Sequence, residues 1–143
     1  MTTKDGFETE ELDDFAKNLL KLAQDEFPKE TYSFMRKSGS KARTMTARKA
    51  RSLVNKETGK YHKSFKRGKA YFRRSSRSYE IQIRNSSPHA HLIEYGHILT
   101  SENGKVIGFV PGYHVMEKSS KEFNMKFKGL IEDWLDDLID KGL

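Results

Sequence analysis

Three of the chain's five histidines, His89, His91 and His97, fall within one short stretch with Glu94 between them. Imidazole nitrogens and a carboxylate are ligands that zinc and related cations take up. His-x-His on a strand would turn both rings to one side. His62 and His114 are the remaining imidazoles. The spacing matches no His-Glu-x-x-His pattern, however, and no Cys-x-x-Cys accompanies it. The same residues read more simply as a corner whose side chains bond to backbone.

Other chemistries find no constellation. The chain lacks a Gly-x-x-x-x-Gly-Lys-Ser/Thr loop, a Gly-x-Gly-x-x-Gly turn and a Gly-x-Ser-x-Gly elbow. Glu94, beside Tyr95, suits a carboxylate that holds a turn or pairs with an arginine. Catalytic residues, cofactors and metals are therefore all expected to be absent. Pro88, Ala90, Glu94, Tyr95 and Gly96, with Pro111 and Gly112 downstream, form a candidate structural elbow. The prolines withhold an N–H and the glycines admit unusual backbone angles.

The elements that would position this elbow follow from periodicity. From Glu8 to Ala23 apolar residues recur at helical spacing, with acids in the first turns. Pro28 kinks this helix or starts a second short one through Met35. Ser38-Gly39-Ser40 then reads as punctuation. Residues 37–57 have little apolar content and read as a mobile basic arm inside a single domain, 1–143, with a solvated helix over Lys41 to Lys56 as the other reading. Gly68-Lys69 bends a strand or joins two, and Arg77 to Arg84 alternates as a half-buried strand. Ala90 to Tyr95 is long enough for about one helical turn ended by Gly96, or for a strand entering a tight corner. Asn103-Gly104 suggests a hairpin, and a helical stripe runs from Val115 or Met116 to Asp140. Helix, small antiparallel sheet and long terminal helix predict an α+β fold.

Charge is unevenly spread. Residues 1–30 carry four lysines against nine acids, residues 31–80 sixteen lysines and arginines against two acids, and residues 81–143 seven against nine. The candidate basic surface is Lys41, Arg43, Arg48, Lys49, Arg51, Lys66, Arg67, Arg73 and Arg74. Aromatics interleave with cations from Tyr61 to Arg74, as on a nucleic-acid stacking platform, although strand alternation that buries the rings explains the same pattern. The chain has no cysteine, no apolar run of membrane-spanning length and a polar, acidic start. It is expected to lack a signal peptide and to be soluble within the cell that makes it, without membrane partners.

Three stretches carry a resemblance: Thr58-Gly-Lys-Tyr61 with Lys63-Ser64, Pro88-His-Ala-His-Leu-Ile-Glu-Tyr-Gly-His97, and Phe109-Val-Pro-Gly-Tyr-His-Val-Met116 leading into a long helix. In this order the chain resembles the small head–tail joining, or tail-completion, proteins of long-tailed bacteriophages and prophages. The resemblance implies a structural α+β protein of the virion's head–tail junction, made in the host cytoplasm, without catalytic residues. It also implies partners: copies of itself in a ring, the capsid connector, and a tail-tube or tail-terminator protein, with non-specific contact to DNA in the channel. A basic nucleic-acid-binding module is the alternative reading. A metal enzyme using His89, His91 and His97 is the third.

Overall fold

The computed structural model describes residues 12–55 and 59–142. It begins with helix α1 (Asp14–Glu26), capped by Asp13, whose Oδ1 accepts the Ala16 N–H at 2.7 Å. The expected start of this helix at Glu8 lies outside the described residues. Phe27 alone separates α1 from α2 (Pro28–Leu53). Pro28 occupies the first position of α2, where its missing N–H has no intrahelical partner to lose. Thr31, fully buried, fixes the junction by donating its hydroxyl to the Phe27 and Ala23 carbonyls.

Two expectations fail in α2. Ser38-Gly39-Ser40 does not punctuate the chain, and residues 37–53 are not an arm but the second half of this helix. Residues 56–58, the end of the expected arm, lie outside the described part. Small residues build the buried face here. Ser38, Gly39, Thr46, Ala47 and Ala50 are all buried, and Thr46 returns its hydroxyl to the Ala42 carbonyl at 2.8 Å. A Cβ on Gly39 would lie 2.6 Å from Ile81 Cδ1, so the glycine admits a close neighbour at a helix cost of about 1 kcal/mol.

A short helix, α3 (Lys60–Lys63), leads into β1 (Phe65–Arg67), β2 (Tyr71–Arg73), β3 (Ser78–Glu80) and β4 (Ile83–Asn85). These fold as one antiparallel ribbon, β1 on β4 and β2 on β3. Gly68 donates to the Gln82 carbonyl at 2.8 Å where the two ladders meet. Residues 68–70 face only residues 81–82 there, so the stretch read as one strand is broken into two. Its alternation survives: Tyr79 is buried and Ile81 packs on the core, while Gln82 and Arg84 are exposed.

The chain continues through α4 (Ala90–Tyr95), β5 (Gly96–Thr100), β6 (Val106–Pro111) and α5 (Val115–Asp140). β5 and β6 form the expected antiparallel hairpin, with Gly104 in its turn at φ 77°. The fold is α+β, and its sheet is divided into three two-stranded ladders.

Two packed centres hold the molecule. In the first, Leu12, Leu20 and Ala23 meet Phe34, Met35, Tyr79, Phe127, Ile131, Leu135 and Leu138. Phe34 stacks on Trp134 at 4.6 Å and on Phe127 at 5.9 Å. In the second, Ala47 and Ala50 meet Tyr61, Phe65 and Val115. Phe34 pairs with Trp134 while Lys49 pairs with Glu122, so α2 and α5 run antiparallel. Among the described residues no helix is long and apolar enough to cross a membrane.

Candidate functional site: the elbow and the basic helix face

A helix leaves its first N–H groups without intrahelical partners. For α5 the residue at the cap is His114, at φ 53°, and its side chain makes no capping bond. Glu94, reaching across from α4, fills that role. Its Oε1 accepts the Met116 N–H at 2.9 Å and its Oε2 accepts the Glu117 N–H at 3.2 Å. The carboxylate is buried in the positive end of the helix dipole, where a negative charge is stabilised.

The backbone completes the joint. Tyr113 donates to the Ile93 carbonyl at 2.8 Å and His114 to the Glu94 carbonyl at 3.1 Å. A Cβ on Gly112 would run into the backbone of Glu94 and Tyr95, and one on Gly96 into the Val110 carbonyl. Upstream, Asn85 positions the entry to α4. Its Oδ1 accepts the Ser87 N–H and its Nδ2 donates to the Tyr61 carbonyl, both at 2.8 Å. Ala90 packs on the second centre, whereas Pro88, Pro111 and Tyr95 are exposed, Tyr95 by 70%. Burial and then the nearby Glu94 charge push the Tyr61 hydroxyl up to about 12.

The histidines do not converge as the candidate ligand set would need. His89, at the cap of α4, and His91, on it, are exposed, and of the two only His89 lies with His97 and His62 along a cavity of about 370 Å³. His62 Nε2 bonds to the Val54 carbonyl at 2.9 Å, and His114 Nδ1 lies 3.2 Å from Glu117. Among the described residues no group of three His, Cys, Asp or Glu is placed to hold a metal ion.

The candidate basic residues divide into two kinds. Arg43 donates to the Phe65 carbonyl at 3.0 Å, and Arg67 to the Arg36 carbonyl at 3.1 Å, so both tie α2 to the ribbon. Arg73 pairs with Glu80 at 2.9 Å and donates to the Tyr71 hydroxyl. Hydrogen bonding from Tyr71, then from Arg73, holds the Glu80 carboxyl below the usual carboxylate range. Lys41, Arg48 and Lys49 line a groove between α2 and α5 with Lys126, and Lys49 is paired to Glu122. Arg51, Lys66 and Arg74 are exposed. The aromatics of Tyr61–Arg74 form no stacking row: Tyr61 and Phe65 are buried, and Phe72 leans on Tyr79.

Sequence reasoning missed two features. One is the helix end that Glu94 caps, because the acid and its partners are more than twenty residues apart. The other is the exposure of β5 and β6. A signal was present there, since Val106-Ile107 and Phe109-Val110 are apolar at adjacent positions rather than alternate ones.

The family described as "Bacteriophage HK97-gp10, putative tail-component" has a sequence model that matches residues 13–96. No curated protein and no solved structure matches the chain. The matched region begins at the cap of α1, takes in α2 and the ribbon, and ends at the glycine that closes α4. With more than half of its length inside that match, the chain belongs to the HK97-gp10-like family of phage tail-component proteins.

Proposed function

We propose that this protein completes the phage head–tail junction, assembling as a ring between the capsid connector and the tail tube. Membership of a phage tail-component family supports a structural role in the virion. The observation that carries the ring is the polarity of the α2–α5 pair. The last turns of α5 carry Glu132, Asp133, Asp136, Asp137 and Asp140, beside the Phe34 end of α2. The other half of α2 carries Lys41, Arg43, Arg48, Lys49 and Arg51. Opposite charges at opposite ends favour head-to-tail association, a heterologous contact that closes into a ring when the rotation allows.

Light scattering at near-physiological salt tests this. The protein, mixed with purified connector or tail-tube protein, is expected to enter a multimer of defined mass. Charge reversal of Arg48, Lys49 and Arg51 together is expected to abolish that entry. A protein indifferent to both partners, yet shifting in mass on duplex DNA, would replace this reading with a nucleic-acid-binding one. The groove lined by Lys41, Arg48, Lys49 and Lys126 would then be its binding surface.

A further inference from the structure

Between Gly96 and Pro111 the only Asp, Glu, Lys or Arg residues are Glu102 and Lys105, both beside the turn, with His97 at the base, in a chain of which these four types make up 33%. Ile98, Leu99, Val106, Ile107 and Phe109 are all exposed there, from 42% for Leu99 to 67% for Ile107. Neighbouring strand residues face opposite ways, so both faces of the β5–β6 hairpin are apolar. The hairpin rests on α4 at its base. An isolated two-stranded ribbon is marginal in water, and contiguous exposed apolar surface marks an interface.

The same chain carries a surface of matching character. A cleft of about 450 Å³ lies between α2, the β3–β4 side of the ribbon and α5, walled by Met35, Ile81, Ile83, Phe123 and Phe127. Its one acidic or basic lining residue, Glu80, is already engaged by Arg73 and Tyr71. Ser119, 2% exposed, lines this cleft, and its Oγ has no hydrogen-bond partner among the described residues. DNA or an acidic segment would leave its charges stranded on either surface, whereas two uncharged surfaces strand none.

We infer that the β5–β6 hairpin of one copy docks in the cleft of a second copy. The inference rests on the self-assembly proposed above and names its contact. Hairpin and cleft are different surfaces, so the contact is heterologous and every copy carries both halves.

The absence of native cysteines makes engineered thiols a clean test. Ile107→Cys marks the hairpin and Ser120→Cys the cleft rim, both at exposed positions. Phage particles are isolated from cells producing both variants and treated with a short bis-maleimide. The expected result is a dimer of this chain in mixed particles, none with either variant alone, and a ladder when one chain carries both cysteines. Crosslinking of Ile107→Cys to itself would overturn the inference in favour of a hairpin–hairpin contact. Doubly substituted chains that remain monomers would show the hairpin folding into its own cleft. A crosslink to a different particle protein, or none in particles holding both variants, would also overturn it. Intact particles without the crosslink would remove this contact and leave the neck reading standing. Failure of both variants and the native chain to enter particles would remove the neck reading itself.

Discussion

Replacing Glu94 tests whether the elbow is held chiefly by one buried carboxylate. Glu94→Ala removes both acceptors for the Met116 and Glu117 N–H groups and leaves them beneath α4 without side-chain partners. Loss of a helix cap costs about 1 kcal/mol, and each hydrogen bond to a charged group contributes about 1.5–3 kcal/mol. The dipole adds up to about 1 kcal/mol, while removing a buried charge returns part of the total. A net loss of about 2–4 kcal/mol follows, lowering the melting temperature by about 5–15 °C in a chain of this size. Glu94→Gln keeps one acceptor but turns an amide NH₂ toward the other N–H, so its loss should be about half as large. Circular dichroism melts give the totals. Amide exchange of Met116 and Glu117 localises them, because both amides should lose protection before the rest of α5. A Glu94→Ala melt within 1–2 °C of the parent, with both amides still protected, would refute the capping argument.

Gly112→Ala should destabilise by about 3 kcal/mol in urea unfolding, because the added Cβ meets the backbone of Glu94 and Tyr95 rather than a movable side chain. Gly129→Ala should do the reverse and stabilise by about 0.5–1 kcal/mol in the same assay, since no heavy atom lies within 4 Å of the new Cβ on this exposed helical position. Tyr61, pushed up to about 12 by burial and then by Glu94, contributes stability that is present below its unfolded value of about 10 and lost as pH rises toward 12. Tyr61→Phe should therefore flatten the alkaline limb of a melting-temperature profile. Glu80 has the opposite sign: its depressed carboxyl contributes above its unfolded value of about 4.3 and loses that contribution as pH falls through the folded one. Glu80→Gln should make acid unfolding between about pH 5 and 3 less steep.

How far the fold was legible followed from how each element is buried. α1 and α5 show large apolar residues at helical spacing, because each presents one stripe to a core of Phe34, Ile131 and Leu135. The second half of α2 does not. Its neighbours approach so closely that Gly39, Ala47 and Ala50 fill the interface, and a small residue looks polar or neutral in a hydropathy pattern. Ser38-Gly39-Ser40 had the composition of a turn for the same reason. The hairpin turn at Asn103-Gly104 was readable because its chemistry is local. Glu94 could be recognised as the acid within the elbow, yet the N–H groups it accepts lie on another element, and no local pattern names them. Of the basic block, Arg43 and Arg67 stay exposed yet donate hydrogen bonds to carbonyls of a neighbouring element, which a count of charges cannot reveal.

The elbow also bears on what docking at the hairpin would do. Gly96 and Pro111 pair as the first rung of the β5–β6 ladder, and Gly96 directly follows the helix that carries Glu94. Two residues beyond Gly112 the chain enters α5 at the end Glu94 caps. The hairpin base and the start of α5 are thus fixed to each other by short backbone contacts and one carboxylate. The orientation of the hairpin, which would set the rotation between neighbouring copies in the proposed ring, is therefore referenced to the longest packed helices of the protein. Loosening the joint should disturb that rotation before it disturbs the cores, because Val115 is the only buried residue of α5 before Ser119. A Glu94→Gln chain that remains folded should consequently form fewer closed multimers with its virion partners than its melting temperature alone would suggest. Light scattering on matched samples checks this: closure that declines only in step with stability would mean the elbow supports the fold and has no part in setting the angle.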